Sequence, residues 1–399
     1  MHCIICDSNN LKIILNVKDY PFFTVPVTIK DKSAILNTHD NLFDELCYWA
    51  CKDCGHVQIN NLPNENIIDE LYTKYYTYPS PLEDNFEPVR DNYFINYFKN
   101  TIYPFSKTQN LNTVLEIGCY DGYILKCLSN IGYLTLGCDP SNGADIGNLN
   151  GLNIRKEKFS SENFVSADES FDIIISRHFI EHVFDPYEYI KEFGKVLKHN
   201  GVLIIETPNI KHFLKKGLLE VFSLQHISLF SETSLKYALE KSGFQILFTD
   251  ESTDSLIITA KKSINVKATL GNNYNNIIDN FNKKVCTNKL ILSKILNDHT
   301  NLFNGIGIWG AGGFGIATIE LYNIKTKYIK YFIDSDPNKW KKEYINNTIP
   351  IVSPSYAEDH PPSILIVASM YSKSILENLP TSFNKTKKLI LTPHVALIK

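Results

Sequence analysis

The chain has 399 residues, of which 44% are hydrophobic and 21% charged, with a formal net charge of −3. That length exceeds one comfortable core and predicts two or three domains. The near-neutral balance supplies no basic field for a phosphate backbone, so a nucleic-acid partner is not expected. Apolar runs such as FDIIIS (171–176) and SILIVAS (363–369) suit buried strands and are too short for membrane spans. The start, MHCIICD, lacks the basic and apolar regions of a signal peptide, which predicts a cytoplasmic protein.

The first segment, residues 1–75, has little clean periodicity and carries five of the nine cysteines. Cys3-x2-Cys6 and Cys51-x2-Cys54 form two pairs with zinc-knuckle spacing, and Gly55 permits the tight turn beneath the second pair. Four thiolates would close a tetrahedral sphere, so the metal expected is structural Zn²⁺. Cys47 and His56 stand as reserve ligands; redox CxxC pairs or unpaired core cysteines are the alternatives.

The second segment, 76–262, alternates strand and helix patterns: TVLEIG (113–118), YLTLGCD (133–139), FDIIIS, a helix after Pro186, and GVLIIETP (201–208). Apolar strands separated by helices predict a mostly parallel sheet covered on both faces. Two late strands, FQILFTDE and SLIITAK, are joined too closely for a crossover and should pair as an antiparallel hairpin. In LEIGCYDG (115–122), Glu116, Gly118, Cys119, Tyr120 and Gly122 form the turn between a strand and a helix, a place where backbone approaches a ligand closely. Asp139 ends the next apolar strand 21 residues after Gly118, where an acid can accept from the ribose hydroxyls of an adenosine-containing ligand; Pro140 follows it.

These residues resemble class I S-adenosylmethionine-dependent methyltransferases. Their usual first motif is ExGxGxG, and Tyr120 stands where the middle glycine is common. The branch of sugar C-methyltransferases with an N-terminal zinc-binding domain instead reads EIGxxDG, and CDPS (138–141) resembles its second motif. SRHFIEHVFDP (176–186) resembles the motif after the fourth strand, which implies that Arg177 and His178 lie beside the methionine part of the cofactor. Glu181 and His182 then either line the acceptor pocket or make structural contacts at a helical turn. LQHISLFSETSL (224–235) resembles a stretch around the sugar in which tyrosine, glutamate and histidine act. Here His226 keeps the histidine, while Ser223, Leu224 and Gln225 replace the tyrosine, a first histidine and the glutamate. His226 is therefore the candidate general base, with substrate orientation as the alternative. In LYTKYYTYPSP (71–81), Tyr76, Tyr78 and Ser80 resemble a substrate-proximal stretch, or else pack between modules.

The third segment, 263–399, begins with a polar, helical stretch (265–300) and becomes a second βαβ pattern. GAGGFG (310–315) follows a strand, and Asp334 ends the next one, a literal match to a dinucleotide site that makes an NAD-dependent oxidoreductase one alternative. The resemblance implies instead a substrate-holding domain, in which Gly312 and Gly313 at a helix start meet a diphosphate; a purely structural turn is the third option. The expected architecture is α/β: a zinc-binding module (1–75), a Rossmann-like methyltransferase domain (76–262) and a smaller Rossmann-like domain (263–399). The expected activity is methyl transfer from S-adenosyl-L-methionine to carbon or oxygen of a nucleotide-linked sugar or related glycan precursor. A non-catalytic binding protein on a decayed methyltransferase fold is the remaining alternative.

Overall fold

The computed structural model describes all residues except 1, 76–79, 81, 83–93, 110, 165–169, 264–265, 272–273, 298–303, 370–371, 392–395 and 399. The chain forms two compact units that interleave in sequence. The first holds Met1–Lys12, Trp49–His212 and His226–Asn275; the second holds Ile13–Tyr48, Phe213–Gln225 and Asn276–Lys399.

The N-terminal segment contributes strands β1 (Leu11–Pro21), β2 (Val27–Thr28), β3 (Phe43–Cys51) and β4 (Val57–Ile59). The long β1 and β3 were not visible as period-2 patterns. In β1 buried and exposed positions do not alternate, and Asp19 sits at φ +54° within it, so the pleat is broken where a regular pattern would be read.

The first unit is built on β5 (Thr113–Ile117), β6 (Leu134–Cys138), β7 (Ile154–Arg155), β8 (Phe171–Arg177) and β9 (Leu197–Pro208), followed by the short β10 (Ser228–Leu229), then β11 (Phe244–Asp250) and β12 (Ser255–Lys262). Seven of these form one sheet in the order β11-β12-β9-β8-β5-β6-β7. The strands from β5 to β9 are parallel. The expected hairpin is present, with β12 antiparallel to both β9 and β11.

Side chains alternate faces along each strand. Leu115, Ile117, Ile174, Leu203 and Ile205 meet Ile190, Phe193, Leu235 and Ala238 on one side. Val114, Ile173, Ile175, Val202 and Ile204 meet Tyr97, Ile102, Ile124 and Leu128 on the other. Burial on both faces is why these strands read as continuous apolar runs. The helix Pro186–Val196 starts where expected because Asp185 accepts from the Glu188 N–H at 3.0 Å and proline occupies the first turn.

The chain enters the sheet at β5, moves out through β6 and β7, and returns to the other side of β5 through β8. The crevice at the C-terminal ends of β5 and β8 is thus a topological switch point, where open α/β sheets bind ligands.

The second unit contains a smaller sheet of β13 (Ile306–Trp309), β14 (Ile329–Ile333), β16 (Ile351–Val352), β17 (Ile364–Val367), β18 (Lys387–Ile390) and β19 (Ala396–Ile398) in the order β16-β14-β13-β17-β18-β19. All its pairs are parallel except β18 with β19. Between β14 and β16 in sequence, β15 (Lys342–Glu343) pairs with β2. The polar stretch before this sheet forms a helix over Asn275–Asn297. Among the described residues no helix is long and apolar enough to cross a membrane.

Candidate active site

At the end of β5 the backbone takes positive φ three times in five residues, at Gly118 (71°), Tyr120 (50°) and Gly122 (76°). A Cβ on Gly118 would sit 3.0 Å from the Phe179 ring, so this position has little room for anything larger. Tyr120 pays roughly 1 kcal/mol for its left-handed backbone, and two contacts fix it there. Its N–H donates to Asp139 Oδ2 at 2.8 Å, and its ring lies against Gly143, where an added Cβ would be 2.5 Å from Cδ2. Asp139 Oδ1 accepts from the Ser141 N–H at 2.8 Å and the Ser141 hydroxyl at 2.5 Å. Asp139 therefore ties the two turns of the crevice together, with half-buried Pro140 between it and Ser141. Cys119 is buried, and burial first of all raises its thiol well above the ordinary value, so it is an inert wall.

Buried Asp121, which sequence reasoning passed over, accepts from the Ser80 hydroxyl at 2.6 Å, the Leu82 N–H at 2.9 Å and the Tyr123 N–H at 3.1 Å. The structure thus puts Ser80 on the glycine turn itself; Tyr76 and Tyr78 lie outside the described residues.

Deeper in the crevice, Arg177 Nε donates to buried Glu206 Oε2 at 2.7 Å, and its guanidinium lies 5.2 Å from the centre of the Tyr97 ring. Glu116 is buried nearby, and its Oε2 has no hydrogen-bond partner among the described residues. Burial pushes its pKa up to about 8, with Arg177 pulling the other way and Asp121, Asp139 and Glu206 adding to the rise. An orphaned buried carboxylate oxygen fits a cationic ligand, as an amino-acid sulfonium would be.

The raised value has a testable sign. Between about 4.5 and 8 the folded chain keeps a proton that the unfolded chain has released, so stability falls as pH rises through that window. The loss is at most about 1.4 kcal/mol for each pH unit. Glu116→Gln is expected to raise the melting temperature of the ligand-free protein at pH 8 by several degrees and to give little gain near pH 4.5. Parallel melting curves for the two proteins across that range would contradict it.

Phe179, packed at Gly118, leads into a short turn, Ile180–His182, that gathers a second group of side chains. His178, at φ +47°, places Nδ1 3.3 Å from Glu181 Oε1 and Nε2 3.8 Å from Glu206 Oε1. Burial disfavours its charge, but Glu181 and then Glu206 outweigh it and hold its pKa above the ordinary value. Glu181 is itself buried, and Thr207 donates to its Oε2 at 3.0 Å. Burial opposes its ionisation, yet the ion-paired His178, with His182 and His226, brings it down to about 2. His182 shares a hydrogen bond with the Tyr72 hydroxyl at 2.8 Å, and its ring centre lies 4.9 Å from that of His226. Tyr72 and Thr207 were missed because nothing local marks them. Glu206 carried a signal, as the acid that follows the apolar run Val202–Ile205.

Cys3 Sγ lies 3.6 Å from Cys54 Sγ and Cys6 Sγ 3.6 Å from Cys51 Sγ, and all four sulfurs lie within 4.8 Å of one another. A disulfide needs about 2.05 Å, whereas four sulfurs about 2.3 Å from one ion stand about 3.8 Å apart. The arrangement fits a tetrahedral metal. Cys47 and His56 are outside the cluster. His56 is buried with neither ring nitrogen hydrogen-bonded among the described residues, and burial pushes its pKa down to about 3, which keeps it neutral.

This knuckle bears on the crevice through the backbone. The Cys51 N–H donates to His56 O, and the turn runs into β4. β4 pairs with β10, and the Ile59 N–H donates to Ile227 O at 3.1 Å, one residue beyond His226. The Ser231 hydroxyl donates to Cys54 O at 2.6 Å while capping the helix Glu232–Lys241.

In the second unit, the glycine turn after β13 owes its shape to Gly310 and Gly315. A Cβ on Gly310 (φ +120°) would meet Ala368 O at 2.2 Å, and one on Gly315 would meet Gly310 O at 2.3 Å. Gly312 and Gly313 open the helix Gly313–Tyr322, with the Tyr344 hydroxyl donating to Gly312 O at 3.1 Å. Asp334 Oδ2 already accepts from the Ala311 N–H at 2.9 Å and from Lys339 Nζ at 3.0 Å.

Residues 92–248 match a family model described as a methyltransferase domain, and residues 249–393 match one described as a C-methyltransferase C-terminal domain. The ubiquinone biosynthesis O-methyltransferase of Rhizobium johnstonii is 27% identical over 120 residues, covering 29% of this chain and 47% of that enzyme. The protein of the same description from Pelagibacter ubique is 26% identical over 206 residues, covering 49% of this chain and 80% of the relative. The chain spans about half the length of the first of these relatives. A solved magnesium protoporphyrin IX methyltransferase from Synechocystis, with S-adenosylmethionine bound, is 14% identical at a TM-score of 0.36, covering 51% of this chain and 99% of that one. The two family matches run without a break from residue 92 to residue 393, and the chain belongs to the class I S-adenosylmethionine-dependent methyltransferases.

Proposed function

We propose that the chain transfers a methyl group from S-adenosyl-L-methionine to a carbon or oxygen of a nucleotide-linked sugar or related glycan precursor, with His226 as general base. The observation that carries this reading is the adjacency of two groups at one sheet crevice: the turn Glu116–Gly122, and the cluster of Glu181, His182 and His226 that follows Phe179. S-adenosylmethionine supplies an already activated sulfonium methyl, so the protein's main task is alignment. Glu116, Gly118, Cys119, Tyr120, Gly122, Asp139, Pro140, Arg177 and His178 would surround it. Asp139 keeps spare lone pairs for ribose hydroxyls beyond its bonds to Tyr120 and Ser141.

At the acceptor, a neutral imidazole on His226 removes a proton, from the carbon beside a ketone or from a hydroxyl. The freed electron pair forms the new bond to the methyl carbon as its bond to sulfur breaks, and that pair stays on sulfur. The C-terminal family match favours carbon, while the named relatives are O-methyltransferases. Cys3, Cys6, Cys51 and Cys54 would hold a structural Zn²⁺ that fixes the β4–β10 pair beneath His226. Residues 263–399, through Gly312 and Gly313, would hold the diphosphate of the acceptor.

Incubation with S-adenosylmethionine and a panel of nucleotide-sugars is expected to give a product one methyl heavier, and fragmentation assigns it to carbon or oxygen. S-adenosylhomocysteine is expected to bind and NAD is not. NAD binding in its place would point to the oxidoreductase, and S-adenosylhomocysteine binding without transfer to any acceptor would point to a non-catalytic protein.

A further inference from the structure

We infer that Glu181, His182 and His226 form a second metal site, for a borderline divalent cation such as Co²⁺, Mn²⁺, Fe²⁺ or Zn²⁺, distinct from the four cysteines. One ligand atom from each of the three residues lies within 4.8 Å of the other two. His182 Nε2 is 4.0 Å from Glu181 Oε1. An ion with bonds of about 2.1 Å needs its ligand atoms about 3.0–3.4 Å apart, so side-chain rotations of about 1 Å would close the site.

Two of the three side chains already have an outer partner, as in ordinary imidazole and carboxylate metal centres. Tyr72 occupies His182 Nδ1 at 2.8 Å, which leaves Nε2 facing Glu181. Thr207 occupies Glu181 Oε2 at 3.0 Å. The independent observation is the remaining oxygen. Glu181 is only 1% exposed, and its Oε1 makes no hydrogen bond among the described residues although it faces the histidines. Apart from the ion pair with His178 Nδ1 at 3.3 Å, no hydrogen bond among the described residues compensates the burial of this oxygen, which is costly, and a cation shared with two imidazoles satisfies it.

Two imidazoles and one carboxylate leave coordination positions open. Nitrogen and oxygen donors without sulfur select first-row divalent ions over the softer preferences of a four-thiolate site. The class of acceptor such an ion favours is one presenting an oxygen, a hydroxyl or an enolisable ketone, whose proton becomes easier to remove next to the charge. His226 cannot be ligand and base through the same ring nitrogen, so the base role proposed above describes the cation-free protein. Occupancy of the site does not depend on the methyl-transfer reading.

The test is titration with Co²⁺ of protein that retains zinc at the cysteines. Wild type is expected to take up one further equivalent, with the weak visible bands of nitrogen and oxygen ligation and no intense near-ultraviolet thiolate band. Glu181→Gln and His226→Ala are each expected to lose that equivalent while keeping their zinc and their far-ultraviolet circular dichroism. Wild type that binds no further cobalt, cobalt that enters only with the thiolate band, or variants that still bind it would overturn the proposal. A negative result here leaves the mass-shift assay untouched, and a failed mass-shift assay leaves cobalt binding to be read on its own.

Discussion

His226→Ala is expected to cut turnover by roughly 10²–10⁴-fold, the usual contribution of a positioned acid or base, while S-adenosylhomocysteine affinity stays within about twofold. The separation follows from where the residue sits. The proposed cofactor groups hang on β5, β6 and β8, whereas His226 precedes β10, whose partner is β4. It meets the cofactor side through His182 and Glu181. Removing its ring leaves the bonds from Tyr120 and Ser141 to Asp139, and from Arg177 to Glu206, in place. A residue that only oriented the acceptor would change KM more than kcat. A base changes kcat, and exogenous imidazole is expected to restore part of it. Turnover that survives the substitution would remove His226 as the base, and an unchanged KM beside it would remove the orienting role as well.

The sequence made the central sheet readable because its strands are buried on both faces. Thr113–Ile117, Phe171–Arg177 and Leu197–Pro208 carry the buried apolar runs Val114–Leu115, Ile173–Ile175 and Val202–Ile205, and the strands end at a glycine, a charged residue or a proline. The same reasoning failed for Leu11–Pro21, a strand with mixed exposure and a left-handed residue near its end. At the candidate site, spacing alone put Glu181 beside His182, and the glycine pattern marked the turn after β5. The bond between Tyr72 and His182 joins residues 110 apart in sequence, and no periodicity encodes such a contact. Asp121 illustrates a subtler limit. It stood inside the motif, but its work is to receive the Ser80 hydroxyl and two backbone N–H groups, which needs the three-dimensional turn to be seen.

Joint replacement Cys51→Ser with Cys54→Ser is expected to abolish zinc retention, to lower the melting temperature by on the order of 10 °C, and to impair turnover more than cofactor binding. Structural zinc contributes folding free energy directly, and a loss of several kcal/mol at about 2–4 °C per kcal/mol gives a shift of that size. The route to turnover is mechanical. With the knuckle loosened, the turn from Cys51 to His56 no longer fixes the start of β4, which supports β10 at Gln58↔Ser228 and Val57↔Leu229 and, through the Ile59 N–H, at Ile227 O. The Ser231 hydroxyl loses its firm acceptor at Cys54 O, and with it part of the cap on the helix Glu232–Lys241. Tyr187, on the helix Pro186–Val196, donates to Ile5 O at 2.6 Å, so the first cysteine pair is tied to the same layer. His226 lies two residues before the β10 pair and would drift from His182. The β5–β9 strands, with their own apolar layers, keep the glycine turn in shape. Metal content by elemental analysis, melting by calorimetry and S-adenosylhomocysteine affinity by calorimetric titration separate these outcomes. A double variant that melts with wild type, or one that loses cofactor affinity in proportion to turnover, would show that the cysteine module does not act through β4 and β10.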